Sequence, residues 1–200
     1  MAKFTTLTLL LFVGLFICIN TTQNVTKVAD LRGQGFGSPI VYQKWQTPIA
    51  NTGFIVTPSS SILVKVPGLT LILQHASPML YELHFEGVCR IPDGGTVFRL
   101  DFLYNDHTLF QNKVYKNNGV NPNGSGRDWW FSPSASDHHF VCSRSETIYL
   151  APGTYAIDVG AAATRFQAMN LWGGQLTVKM TQFGPNQNMV GSLPMLSVPR

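Results

Sequence analysis

Carboxylates able to trade a proton, or histidines able to hold a metal, are the first chemistry to look for, and the sequence offers candidates for both. Asp137-His138-His139 sets a carboxylate and two imidazoles in a row. A metal would need one of these histidines joined by His84 or His107. Neighbours on a strand point to opposite faces, however, so only one of the pair can serve a given ion. Surface or strand-end histidines are the plainer reading, and no metal or other cofactor is expected. Glu82, Glu86 and Asp101 are the acid–base candidates. A glycosidase needs two carboxyl groups flanking one bond, whereas Glu82 and Glu86 share an outward strand face with His84 and Arg90, near Arg99. That is the pattern of a mixed-charge solvated face. No catalytic set results, and no enzyme is expected.

Binding chemistry has better candidates. Trp129 and Trp130, with Tyr115 and the Asn-rich stretch 117–126 between them, are residue types that stack on sugar rings. One of two adjacent tryptophans on a strand normally faces the core, which leaves the other for contact. Arg32-Gly-Gln-Gly-Phe-Gly37 has the glycines of a phosphate loop, but no suitable strand precedes it and no helical pattern follows. The formal charge of +4 comes from scattered Lys and Arg without a basic run, so nucleic acid is not an expected partner.

The elements that must position these residues read as strands. Charged residues make up only 12% of the 200 residues, hydrophobic ones 44%, which suits one well-filled core with many turns. From Leu80 to Ile91, Tyr81, Leu83, Phe85, Gly87, Cys89 and Ile91 share one face. Phe98, Leu100, Phe102 and Tyr104 do the same after the turn Pro92-Asp-Gly-Gly95. The pair reads as a hairpin. Hairpins are also expected at Pro67-Gly68, between 62–66 and 69–74, and at Pro152-Gly153, where Gly153 is expected to take a positive φ. In 137–143, His138, Phe140 and Cys142 share a face. No apolar period of 3.6 persists over three turns, so the class is all-β: a two-sheet antiparallel, jelly-roll-like β-sandwich with extended N- and C-terminal segments.

Lys3 ahead of the apolar run Leu7–Ile19 has the layout of a secretory signal peptide over 1–20. A flexible leader is expected over 21–38, the sandwich over 39–183 and a tail over 184–200. The tail is too rich in Met, Leu and Val for a solvated segment, which suggests that it packs on a neighbouring subunit. Of three cysteines, Cys18 lies in the signal, leaving Cys89 and Cys142 either as a disulfide or as two buried thiols. Asn20, Asn24 and Asn123 head glycosylation sequons, Asn20 within the signal. The expected product is a secreted protein with no membrane contact after signal cleavage.

At Leu150-Ala-Pro-Gly-Thr-Tyr155-Ala-Ile-Asp-Val159, followed by Trp172-Gly-Gly-Gln-Leu-Thr-Val178, the chain resembles the closing strands of C1q and tumour-necrosis-factor-like jelly rolls. The motifs cover about the last third of the chain. The resemblance implies a trimer of ten-stranded sandwiches that acts by binding or assembly. Together with the residue-level reading it leads to a self-associating structural or interaction protein, a homo-oligomer (trimer or higher assembly). An extracellular carbohydrate-binding module is the alternative, and a glycan or protein the corresponding ligand.

Overall fold

The computed structural model describes residues 25–29, 39–47, 53–57, 62–91, 96–118, 128–130, 138–164, 168–183 and 193–199. The segment 1–20, Asn24, Asn123 and Asp137 lie outside them. The described residues form strands β1 (Val25–Ala29), β2 (Ile40–Trp45), β3 (Phe54–Val56), β4 (Val64–Lys65), β5 (Leu71–His75), β6 (Met79–Ile91) and β7 (Val97–Tyr104). These are followed by β8 (His107–Phe110), β9 (Lys113–Lys116), β10 (Asp128–Trp130), β11 (His138–Leu150), β12 (Gly153–Thr164), β13 (Met169–Thr181) and β14 (Met195–Leu196).

Two sheets result. The first runs β1-β2-β13-β6-β11-β14, with β3 also on β13; the second runs β4-β12-β7-β8-β9, with β5 on β12 and β10 on β7. From β5 onward the chain crosses repeatedly between them, β5 to β6 to β7 and β11 to β12 to β13, which is the winding of a jelly-roll sandwich. Pairing is antiparallel except for the two-residue contact of β14 with β11.

The predicted inward faces are the core. Tyr81, Phe85, Cys89 and Ile91 from β6 meet Phe98, Leu100, Phe102 and Tyr104 from β7, all fully buried. Each such side chain contributes roughly 1.5–3 kcal/mol through apolar burial. None of the three expected hairpins forms, because β6 and β7 lie in different sheets, as do β11 and β12. A period of two tells which face is buried, not which strand lies alongside; in a sandwich, strands of both layers bury the same kind of face. Pro67-Gly68 instead interrupts a single line of chain: β4 and β5 lie one after the other along β12, with Lys65 opposite Gly160 and Leu71 opposite Ile157. Gly68 takes the positive φ of that turn, at +85°. Gly153 does not, and a Cβ there would come within 3.1 Å of the Tyr155 ring.

Cys89 and Cys142 form a disulfide with a Cα–Cα distance of 5.7 Å. It joins the neighbouring strands β6 and β11 on the inner face of one sheet, rather than bridging the two layers. The terminal segments contribute strands as well. β1 pairs with β2 from within the expected leader, and Val198 of the expected tail is buried in the core of its own chain.

Candidate functional site

The site begins at an irregularity in β13. Leu171 is buried opposite Cys89, but the next paired residue is Gly173, opposite Val88, so Trp172 is an extra residue in the ladder. Such a bulge turns its strand and re-aims a side chain. Here it changes the parity of the buried face, from Met169 and Leu171 before it to Leu176, Val178 and Met180 after it, and leaves the Trp172 indole outside. Glycines make the irregularity possible. A Cβ on Gly174 would lie 2.5 Å from the Phe85 ring, whereas one on Gly173 would meet nothing within 4 Å.

The partner strand breaks at the same place. β2 pairs with 175–180 of β13 and β3 with 169–171. Gln46 bridges the gap: its backbone N–H donates to Gly174 O at 2.8 Å and its side-chain Nε2 donates to Leu171 O at 3.0 Å. Because the carbonyl of Leu171 requires a donor, the other amide atom is the oxygen. That Oε1 is buried, on a residue only 6% exposed, and has no hydrogen-bond partner among the described residues.

Around this break lies a groove of about 750 Å³ on the outer face of the first sheet. Trp45 and Trp172 line it, with Gln46, Gly173 and Gly174 at the break. His84, Glu86, Gln175 and Thr177 supply polar groups, and Val88 and Val141 an aliphatic side. The large apolar side chains here are unusually open: Trp45 is 57% exposed, Val88 43%, Val141 68% and Trp172 46%. Arg90 places its guanidinium 5.8 Å from the Trp172 ring centre, and the His139 ring meets the same indole edge-on at 5.3 Å. These contacts hold the indole in place at the rim.

The residues singled out from sequence fall elsewhere or apart. His138 and His139 pair with Ile91 and Arg90, on opposite faces of the sheet. His84 contacts Ser145 Oγ at 2.8 Å, whereas His107 is buried in the second sheet beside Asn105 O. Among the described residues no group of three or more metal-ligating side chains converges. Glu82 pairs with Lys179 at 2.5 Å, as suits a charged outer face. Tyr115 is half-buried on β9, and Trp129 pairs through its backbone with Phe98, so these two belong to the second sheet, opposite the groove. Sequence reasoning missed Trp45 and Trp172 as ligand candidates; the parity flip across Trp172-Gly173-Gly174 is the signal that marks the bulge.

No family model matches the chain and no curated protein matches it by sequence. Among solved structures it is similar to Eiger TNF from S. frugiperda, with a TM-score of 0.35 and 10% identity over 76% of this chain and 98% of that one. This is a weak resemblance at the level of fold and carries no argument about the site; the jelly-roll assignment rests on the strand order of the chain itself.

Proposed function

We propose that this is an exported interaction protein that works by binding rather than catalysis and self-associates through the outer face of its first sheet. One observation carries the reading: Val88, Val141 and Trp172 stand exposed together on an ordered sheet face. Val88 and Val141 are direct cross-strand partners, so they form a continuous aliphatic strip beside the indole. Monomeric proteins seldom leave such a patch in water, and burying it against a second copy removes apolar surface from both at once. The homo-oligomer is a trimer if the sequence resemblance to the C1q and tumour-necrosis-factor-like domains extends to assembly. Export is supported by the disulfide, and Asn24 and Asn123 are then the glycan acceptors.

The test is light scattering on the full chain expressed with its own leader in a secreting eukaryotic host and recovered from the medium. The wild type elutes as an oligomer, and Val141→Glu, which sets a charge on the strip, elutes as a monomer of unchanged fold. A wild type that is monomeric at micromolar concentration overturns self-association; retention inside the cell overturns export.

A further inference from the structure

We infer that the groove at the break between β2 and β3 is a binding site for a neutral saccharide, held between the Trp45 and Trp172 indoles and hydrogen-bonded to Gln46 Oε1. Val88, Val141 and Trp172 line this same groove, so a saccharide and a second copy would compete for the face, but the inference does not depend on self-association. A sugar ring has apolar C–H faces and a hydroxylated edge, so its receptor needs flat aromatic surface together with fixed hydrogen-bonding groups. The groove has both. Two exposed indoles line it, and aromatic side chains offer large stacking area at little cost in conformational freedom.

The hydrogen-bonding side is more specific. Gln46 is fixed at both ends by its bonds to Gly174 and Leu171, yet among the described residues its buried Oε1 has no donor. An acceptor in that state costs free energy until a donor reaches it. A ligand hydroxyl entering the groove that Gln46 lines is such a donor. Gln175, Thr177, His84 and Glu86 line the same groove and can serve the remaining hydroxyls as donors or acceptors. The bare Gly173 position lets a ring approach the sheet closely.

Charge and size narrow the ligand. Glu86 lines the groove, whereas Arg90, 5.8 Å from the Trp172 ring centre, does not line it. This arrangement disfavours phosphate, sulfate and uronate groups. A volume of about 750 Å³ falls within the range of roughly 300–1,000 Å³ typical of small-ligand sites, with room for more than one ring.

The experiment uses the secreted full chain, diluted below any concentration at which light scattering shows it to self-associate, on an array of neutral hexose and N-acetylhexosamine oligosaccharides, with sulfated and sialylated glycans and unmodified peptides printed beside them. The positive structures are then titrated by tryptophan fluorescence. Neutral oligosaccharides bind the diluted protein, and Trp45→Ala, Trp172→Ala and Gln46→Leu each weaken binding about tenfold or more while Trp129→Ala does not. Thermal unfolding of each variant checks the fold, and because Trp45 is largely exposed its variant separates a lost contact from a lost structure. Silence across the neutral glycans overturns the inference. So does binding confined to anionic glycans or peptides, or binding lost in Trp129→Ala and retained in Trp45→Ala. Dilution keeps this result separate from self-association, since a monomer that binds sugar supports the site whatever the oligomeric state.

Discussion

Tyr155 donates its hydroxyl to the carbonyl of Ala151 at 2.7 Å, four residues back along the chain, and so pins the corner where β11 leaves the first sheet and β12 enters the second. The same corner holds the C-terminal segment, because Ala151 N–H donates to Leu196 O at 2.9 Å. Tyr155→Phe keeps the buried ring and removes only the bond. It is expected to cost about 1 kcal/mol of folding stability in urea unfolding. An unchanged midpoint and slope would show that the corner is held by packing alone.

His75 lies against the same tyrosine, stacked at 5.4 Å on Tyr155 and tilted at 5.6 Å on Tyr81. Its Nδ1 donates to Ser77 O at 2.6 Å. Burial holds the imidazole pKa below the usual histidine value, and the Ser77 bond opposes this only in part. The neutral ring is therefore the form that suits the fold. As pH falls through about 6.5 the unfolded chain takes up a proton that the folded chain resists, so this contribution is complete above that pH and is lost below it. Unfolding midpoints measured from pH 7.5 to 5 are expected to fall more steeply for the wild type than for His75→Phe. Parallel curves would remove His75 as a source of acid sensitivity.

These residues also show what a sequence can reveal about such a fold. The inward faces of β6 and β7 are legible from the period of two, and Tyr81, Phe85, Phe98 and Phe102 are buried as that period requires. Strand β7 is buried on its other face as well, at Asp101 and Leu103, which the alternation does not anticipate. Their partners are not legible, since the period is the same whichever layer a strand joins. Pro152-Gly153 looks like a hairpin for that reason, although it is a corner between sheets. The groove escapes for a related reason. Val88 sits among Glu86, His84 and Arg90 on a face that reads as charged. Its apolar character emerges only when β11 brings Val141 alongside and the bulge adds Trp172. Cross-strand neighbours are a property of register, which no single strand carries.

The disulfide between Cys89 and Cys142 closes a loop with a sequence separation of 53 and restricts the unfolded chain accordingly. The chain-entropy relation puts the stabilisation at about 4 kcal/mol. Both sulfurs lie on the inner face, so replacing the pair by alanine also removes core volume. Reduction of the wild-type protein separates the two effects, because it breaks the bond and keeps the sulfur atoms. We expect reduced wild type to lose most of the stability that Cys89→Ala/Cys142→Ala loses; a small loss on reduction would assign the effect to packing instead.

Arg144 and Glu146 occupy inward-facing positions on β11, opposite Phe85 and Leu83, and their side chains are only 18% and 11% exposed. Arg144 Nη2 lies 3.3 Å from Glu146 Oε2 and 3.6 Å from Asp101 Oδ1, while Tyr104 donates its hydroxyl to Glu146 Oε1 at 2.9 Å. The cluster links the first sheet to the second through one guanidinium shared by two carboxylates. Removing the cation leaves two acids facing each other in a confined site, so Arg144→Met is expected to cost about 3–5 kcal/mol. Glu146→Leu costs less, because Asp101 still balances Arg144. The double variant leaves a single carboxylate with no like charge to oppose it, so its loss should fall short of the sum of the two single losses, by about 0.5–3 kcal/mol. Urea unfolding of the four proteins measures this coupling directly. Strict additivity would mean that the arginine acts through its packing on the inner face, where it stands opposite Phe85, and not through charge.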